Sequence, residues 1–333
     1  MQLTAKPRRE LNDCRVLVTP TSYGKNDPNL KTMLEESVGE VIYNPTNQPL
    51  QATELRSLIV DVDGYIAGLD QVNRSVLEAA NRLQVISRYG VGVDRVDIEE
   101  ATRRGIIVSN TPGSNSAAVA ELTISLMLAV ARYLCQGNQA TRRGEWPRFS
   151  GVSLHGKTVG LIGFGALGRA VAKFLKGFDC TIFVYDPHVQ NGVIEDFGAV
   201  PESQEKLLKT VDFVSLHLSV SPATVGMVNA EFLQRMKPGS ILINTARGEL
   251  IDEDALYDAL SSGHLIGAGL DCFCQEPPDP NNKLVNLPQV ILTPHIGAQT
   301  DGARNAMGWM ALEDCLSVLR GERPQHLVNP EIY

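Results

Sequence analysis

The hydrophobic positions of this chain fall into two successive series of short apolar runs, separated by polar segments with helical spacing. In the first series the runs lie at 15–19, 40–43, 63–67, 83–88 and 106–108. Between them, 29–38, 74–80 and 98–104 predict helices, and 55–60 predicts a helix or turn. This alternation implies a parallel sheet covered on both faces by helices. The second series begins at 157, with runs at 159–162, 181–185, 213–217, 240–244, 266–270 and 290–292. Helices are predicted near 229–235 and 253–261, and Asp252 is placed to cap the second of these. Six or seven strands of this kind suit a dinucleotide-binding domain.

Two helices lie outside both series. A long segment from Ala117 to about Thr141 is apolar on more than one face and so needs more than one partner. The turn-rich stretch 110–116 before it predicts a hinge. An amphipathic helix over 302–319 follows the second series and is best housed on the first domain. The expected fold is therefore α/β: two Rossmann-like, doubly wound parallel-sheet domains with an active-site cleft between them. The first domain is expected to be discontinuous, residues 1–112 plus 299–333. The second is expected to span 113–298.

The chemistry concentrates in 158–187. A strand leads into Gly163-Phe164-Gly165-Ala166-Leu167-Gly168, then a helix, then a strand ending at Asp186. That is G-x-G-x-x-G in strand–turn–helix context, with an acid 23 residues (186 − 163) after the first glycine. Gly163 permits the tight turn, Gly165 admits a pyrophosphate to the backbone, and Gly168 lets helix and strand pack closely. Unpaired N–H groups at the helix start favour the anion. Asp186 accepts from ribose hydroxyls and repels a 2′-phosphate, and Pro187 and His188 offer that phosphate no arginine. NAD is the expected cofactor.

Charge and composition narrow the partners. The net charge is −8 and the pI about 5.3, which suggests neither a nucleic-acid nor an anionic-membrane partner. The apolar segment 119–134 carries Glu121 and Arg132 and is too short to span a bilayer. Residues 1–14 are polar and lack the apolar core of a signal peptide, so a soluble, cytoplasmic protein is expected. Of six cysteines only Cys272 and Cys274 are close, and C-x-C alone is poor zinc spacing. They read as buried thiols, and no metal centre is expected.

Ligands of open α/β sheets collect at the carboxyl ends of strands. Three residues stand there in the second series. Arg247, after strand 240–244, is either a bidentate carboxylate clamp or a solvated loop arginine. Glu276, after 266–270, is either functional or a surface acid. His295, after 290–292, is either a proton donor and acceptor or a structural histidine. Together they suit reduction of a 2-oxo acid. His295 supplies the proton, Glu276 orients the ring and raises its basicity, and Arg247 holds the carboxylate. In the first series Gly90-Val91-Gly92 offers backbone N–H groups to an anion or forms a plain turn. Arg88 is a substrate cation or a salt-bridge partner. His217 also ends a strand, with a structural or cofactor-lining role favoured.

These residues resemble the D-isomer-specific 2-hydroxyacid dehydrogenases, near their phosphoglycerate dehydrogenase branch. The resemblance runs from Val16 to about Pro324. It rests on Arg88 to Asp94, Asn110-Thr111-Pro112-Gly113, the glycine motif, Asn244 to Gly248, Gly269-Leu270-Asp271, Glu276-Pro277 and Pro294 to Gly297. It implies Arg247, Glu276 and His295 as the catalytic set. It also implies cofactor contacts at Ala166, Leu167, Asp186, Leu218, Thr245, Ala246, Arg247, His295, Gly297 and Ala298, with Asp271 at the carboxamide. Substrate contacts are implied at Gly90, Val91 and Gly92. A homodimer through the helix starting near Ala117 is implied, with Trp146 reaching toward the partner.

Three departures qualify the likeness. Phosphoglycerate dehydrogenases usually carry an arginine after the third strand, whereas Ala67-Gly68-Leu69-Asp70-Gln71 has no cation. Arg88 matches a second phosphate-site arginine, so anion binding is weakened there rather than lost. Ser219 replaces a commoner proline. With Tyr333 as the last residue, regulation through a C-terminal serine-binding domain is not expected. The expected substrate is a small D-2-hydroxy or 2-oxo acid, such as 3-phosphoglycerate, hydroxypyruvate or glyoxylate. The alternative is an NAD-sensing corepressor-type scaffold with little turnover.

Overall fold

The computed structural model describes residues 9–46 and 48–333. The signal-peptide reading of the N-terminus rests largely on residues outside this range. The chain divides into two compact units. One comprises the described residues up to Asn115 together with Gln299–Tyr333, and the other is Ser116–Ala298.

The first unit opens with β1 (Arg15–Val18), α1 (Asn29–Ser37), β2 (Glu40–Tyr43), α2 (Ala52–Leu58) and β3 (Gly64–Ala67). It continues with α3 (Arg74–Ala79), β4 (Val85–Arg88), α4 (Ile98–Arg103) and β5 (Ile107–Ser109). All five strands pair in parallel, in the order β2-β1-β3-β4-β5. Its strands bury side chains on both faces. Leu17, Tyr65, Ile86 and Val108 join the core under α2, α3 and α4. The order reverses between β1 and β3, so this sheet's crevice lies at Thr19 and Gly68.

The second unit begins with α5 (Ser116–Ala131) and α6 (Leu134–Arg142). The sequence predicts one helix here, and the structure has two, bent by 61°. The returning segment forces the break. Val152 N–H bonds the Ala131 carbonyl at 2.8 Å, and a Cβ on Gly151 would lie 2.4 Å from that same oxygen. Tyr133 then turns left-handed (φ 52°) and stacks on Phe149.

Next come β6 (Thr158–Ile162), α7 (Ala166–Leu175), β7 (Thr181–Tyr185), α8 (Asn191–Asp196), β8 (Val200–Pro201), α9 (Gln204–Thr210) and β9 (Phe213–Leu216). Between Asp186 and Phe213 the apolar pattern predicts no element, yet α8, β8 and α9 lie there. They are short and mostly polar, so their periodicity is faint. The unit closes with α10 (Ala230–Arg235), β10 (Ser240–Asn244), α11 (Glu253–Ser261), β11 (Leu265–Leu270) and β12 (Val290–Leu292).

Seven parallel strands run β12-β11-β10-β9-β6-β7-β8. Alternate residues feed two cores. Val159, Leu161, Ile241 and Ile243 pack with α5 and α7, while Ile162, Val214, Leu216 and Leu242 face α9, α10 and α11. The order reverses between β6 and β9, which puts the glycine turn and His217 at the crevice.

The last helix, α12 (Asp301–Arg320), is capped by Thr300 and packs on β3, β4 and α1 of the first unit. A Cβ on Gly308 would lie 2.5 Å from Leu30, so the glycine permits that packing.

Candidate active site

The glycine turn fits a dinucleotide on its own geometry. Gly163 has φ +97°, and a Cβ there would lie 2.5 Å from the His217 carbonyl oxygen. A Cβ on Gly168 would lie 2.4 Å from the Gly163 oxygen, so α7 can start only if that position is bare. Gly165 differs: nothing lies within 4 Å of its Cβ position. Open space therefore faces the first N–H groups of α7, at Ala166 and Leu167, where an anion is favoured. Asp186 fixes the turn from the next strand. Phe164 N–H donates to its Oδ2 at 2.7 Å and His188 N–H to its Oδ1 at 2.9 Å. The carboxylate keeps lone pairs for ribose hydroxyls.

Leu218 packs beside this turn, its Cδ2 3.0 Å from the Gly163 Cβ position. Both ring nitrogens of His217 are shielded from solvent and lack a hydrogen-bond partner, although the residue as a whole is half-buried. Desolvation pushes this imidazole down to about 3, so it is neutral at pH 7.

The second group of residues is assembled by loop crossing. Asn244 ends β10 and clamps the following turn. Its Oδ1 accepts from Ala246 N–H at 3.0 Å, and its amide donates to the Arg247 carbonyl at 2.7 Å. Thr245 shares a 2.8 Å hydroxyl bond with Thr123 of α5. Arg247 is half-buried, and one of its nitrogens donates to the Ala246 carbonyl at 2.8 Å. A Cβ on Gly248 would sit 1.9 Å from the Phe273 carbonyl carbon, so this glycine lets the Arg247 and Glu276 loops press together. Cys272 Sγ donates to Ala246 O at 3.4 Å and Cys274 Sγ to Gly248 O at 3.4 Å, across the same crossing. The expectation that both thiols are buried holds for Cys272 only, because Cys274 is exposed.

His295 sits in this group at φ +51°, a left-handed conformation rare for a side chain of its size. Asp271 stabilises it. That buried carboxylate accepts from Thr293 Oγ1 at 2.6 Å and from the N–H groups of Ile296 and Gly297, both at 2.9 Å. The ring's Nδ1 meets both Glu276 oxygens, at 2.9 and 3.0 Å, and Phe273 N–H steadies the carboxylate at 3.2 Å. The His295 and Glu276 side chains remain 28% and 20% exposed. A carboxylate on Nδ1 fixes the ring's orientation and tautomer and leaves Nε2 as its other nitrogen. Ala298 follows, half-buried.

The first unit's predicted residues are placed differently. Arg88 is only 6% exposed, and its guanidinium donates to the carbonyls of Ala67 and Tyr89. A Cβ on Gly90 (φ +148°) would lie 2.9 Å from Arg88 Nη1, so arginine and glycine shape one loop. Asn110 holds that loop by donating to Val91 O at 2.7 Å, and Thr111 N–H bonds Gly90 O at 3.1 Å. Val91 is partly exposed, and Gly92 follows it in the same turn. Asp70, whose neighbourhood the sequence marks only by its missing cation, is the hub of the β1/β3 edge. Its buried carboxylate accepts from the hydroxyls of Thr19 and Tyr65 and from the N–H groups of Leu50 and Gly68.

A dinucleotide turn and a histidine–carboxylate pair on one parallel sheet define a nicotinamide-dependent oxidoreductase. Residues 124–297 match the model of the D-isomer specific 2-hydroxyacid dehydrogenase NAD-binding domain. The chain is 39% identical over 310 residues to a glyoxylate reductase of Pyrococcus furiosus, covering 90% of this chain and 92% of that protein. It is 44% identical over 298 residues to a D-3-phosphoglycerate dehydrogenase of Methanocaldococcus jannaschii, covering 88% of this chain but only 56% of that longer protein. A D-lactate dehydrogenase of Aquifex aeolicus, solved with NAD and lactic acid, superposes with a TM-score of 0.84 at 27% identity, covering 94% of this chain and 99% of that one. The chain belongs to the D-isomer specific 2-hydroxyacid dehydrogenases, NAD-dependent enzymes that interconvert 2-hydroxy and 2-oxo acids.

Proposed function

We infer that the chain reduces a small, unphosphorylated 2-oxo acid to the D-2-hydroxy acid, with glyoxylate and hydroxypyruvate as the best substrates. When bound, the nicotinamide supplies the hydride, or accepts it in the reverse direction. His295 gives the proton that the reduced carbonyl oxygen needs, from the nitrogen not bonded to Glu276. Glu276 holds the ring through its Nδ1. Arg247 binds the substrate carboxylate bidentately. Asp271 supports the His295 loop and contacts the nicotinamide carboxamide.

The observation carrying the substrate assignment is the state of Asp70 and Arg88. A phosphate dianion needs cations with free donors. The loop after β3 offers none, and its carboxylate takes up the Leu50 and Gly68 N–H groups. One nitrogen of the buried Arg88 guanidinium, Nη1, is turned onto the Ala67 and Tyr89 carbonyls. The glyoxylate reductase relative supports the same reading. A steady-state panel with NADH tests it. Glyoxylate and hydroxypyruvate should exceed the phosphorylated analogue of hydroxypyruvate in kcat/KM by roughly 100-fold. A preference for the phosphorylated acid would overturn the assignment.

The proposed assembly is a homodimer formed through α5 and the segment after α6. Exposed Leu134, Phe149 and Trp146, the last at 77%, support it. Light scattering of the purified chain, with and without Trp146→Ala, tests it. A cytoplasmic location is proposed on the six free thiols, which fit a reducing compartment.

A further inference from the structure

Cys272, Glu276 and His295 each offer one ligand atom within 4.8 Å of the other two. They form a sulfur, oxygen and nitrogen donor set on two loops that the structure already fixes. Gly248 presses the Cys272 loop onto the Arg247 turn, and Asp271 pins the His295 loop. The set is thus held in place without a cation.

Its composition selects the metal. Magnesium and calcium need six or more oxygen ligands, which two nitrogen and sulfur donors deny. Thiolate, imidazole and carboxylate together suit a tetrahedral zinc-class cation, with a fourth position left to water. The edges of such a tetrahedron are about 3.3–3.7 Å. The Cys272 sulfur would close from a separation of at most 4.8 Å, while Glu276 and His295 Nδ1, now 2.9 Å apart, would open slightly.

We propose that this triad is an inhibitory site for a thiophilic divalent cation of the zinc class. Binding forms bonds from the metal to Cys272 Sγ, a Glu276 oxygen and a His295 ring nitrogen. It releases the thiol proton and any proton shared by Glu276 and His295 to solvent, and nothing is oxidised or reduced. The Glu276–His295 hydrogen bond is replaced, so the ring no longer delivers a proton while the metal stays. Loss of turnover rests on the functional reading above, whereas the binding site itself does not.

The test uses the full chain and zinc chloride alone, read by titration calorimetry, with cobalt(II) as a spectroscopic substitute. The wild type should take up a zinc ion that Cys272→Val and His295→Ala each bind about 100-fold more weakly. Cobalt should give a thiolate charge-transfer band that Cys272→Val abolishes. Zinc should inhibit the wild type reversibly with chelator and spare Cys272→Val, each measured against its own metal-free rate. Uptake that survives Cys272→Val, a cobalt spectrum without the thiolate band, or no uptake at all would overturn the site. If no 2-oxo acid is turned over, the functional reading fails, and the calorimetry and cobalt spectra still decide the metal site.

Discussion

Both sheets of this protein reverse their strand order once, and the two reversal points are finished differently. In the seven-stranded sheet the β6/β9 point is left bare. Gly165 faces open space and the first N–H groups of α7 are available to a ligand. In the five-stranded sheet the β1/β3 point is filled by Asp70, which takes two hydroxyls and two backbone N–H groups. Parallel topology makes a crevice at each reversal. Side chains then decide whether it receives an anion or holds one of the protein's own. The same contrast separates Arg88, buried and bonded to its own loop, from the partly exposed His295–Glu276 pair.

If that contrast is right, substitutions in the second unit should cost activity and those at Asp70 should cost stability. The largest effect is expected from His295→Ala, which should lower kcat by about 10³–10⁴-fold. Its melting temperature should stay within a few degrees of wild type. A variant that kept near-normal turnover would remove His295 from the chemistry. Next, Asp70→Ala strips the buried Leu50 N–H of its acceptor and leaves the Thr19 and Tyr65 hydroxyls only each other, while Gly68 N–H keeps Thr19 Oγ1. It should destabilise the first unit by roughly 3 kcal/mol, on the order of 10 °C in melting temperature. A calorimetric scan showing no loss would mean that the β1/β3 edge is not fastened by this carboxylate.

His217 makes a pH-dependent prediction. Its folded pKa of about 3 lies below the unfolded value, so the unfolded chain binds the extra proton between the two. The stability it leaves intact is fully present above about pH 6.5 and is lost as pH falls toward 3. At pH 5 the loss should be about 2 kcal/mol, and His217→Leu should remove that part of the acid limb. Urea unfolding at pH 7 and pH 5 measures it, and parallel curves for the two proteins would contradict it. The smallest effect belongs to Gly165→Ala. Its Cβ meets nothing in the protein, so folding should be unchanged. The added methyl would stand where the pyrophosphate approaches and should raise KM for NADH by about 10-fold. Destabilisation without a change in cofactor binding would show that the space is not the cofactor's.

Much of this was legible without coordinates, because the signals were local. Gly163, Gly165, Gly168 and Asp186 lie within one strand–turn–helix–strand unit, and their spacing carries the chemistry directly. Arg247, Glu276 and His295 were legible as strand-end residues, since a parallel sheet sends all its carboxyl ends to one edge. The bend at Tyr133 was not, because its cause is a carbonyl taken by Val152, nineteen residues further on (152 − 133). Asp70 could be read only as a missing cation. Its role depends on Leu50 and Thr19, which a sequence pattern does not bring near it.

The sequence by itself determined the two series of strands, the cofactor turn and the identity of the residues at the sheet edges. These follow from hydrophobic period, glycine placement and the rule that ligands meet strand ends. Only the tertiary structure decided that Glu276 meets His295 at Nδ1, that Cys272 joins them, and that Asp70 closes the other crevice. Those outcomes rest on loop crossings such as Gly248 against Phe273, where contact between distant segments, rather than local preference, fixes which side chains share a site.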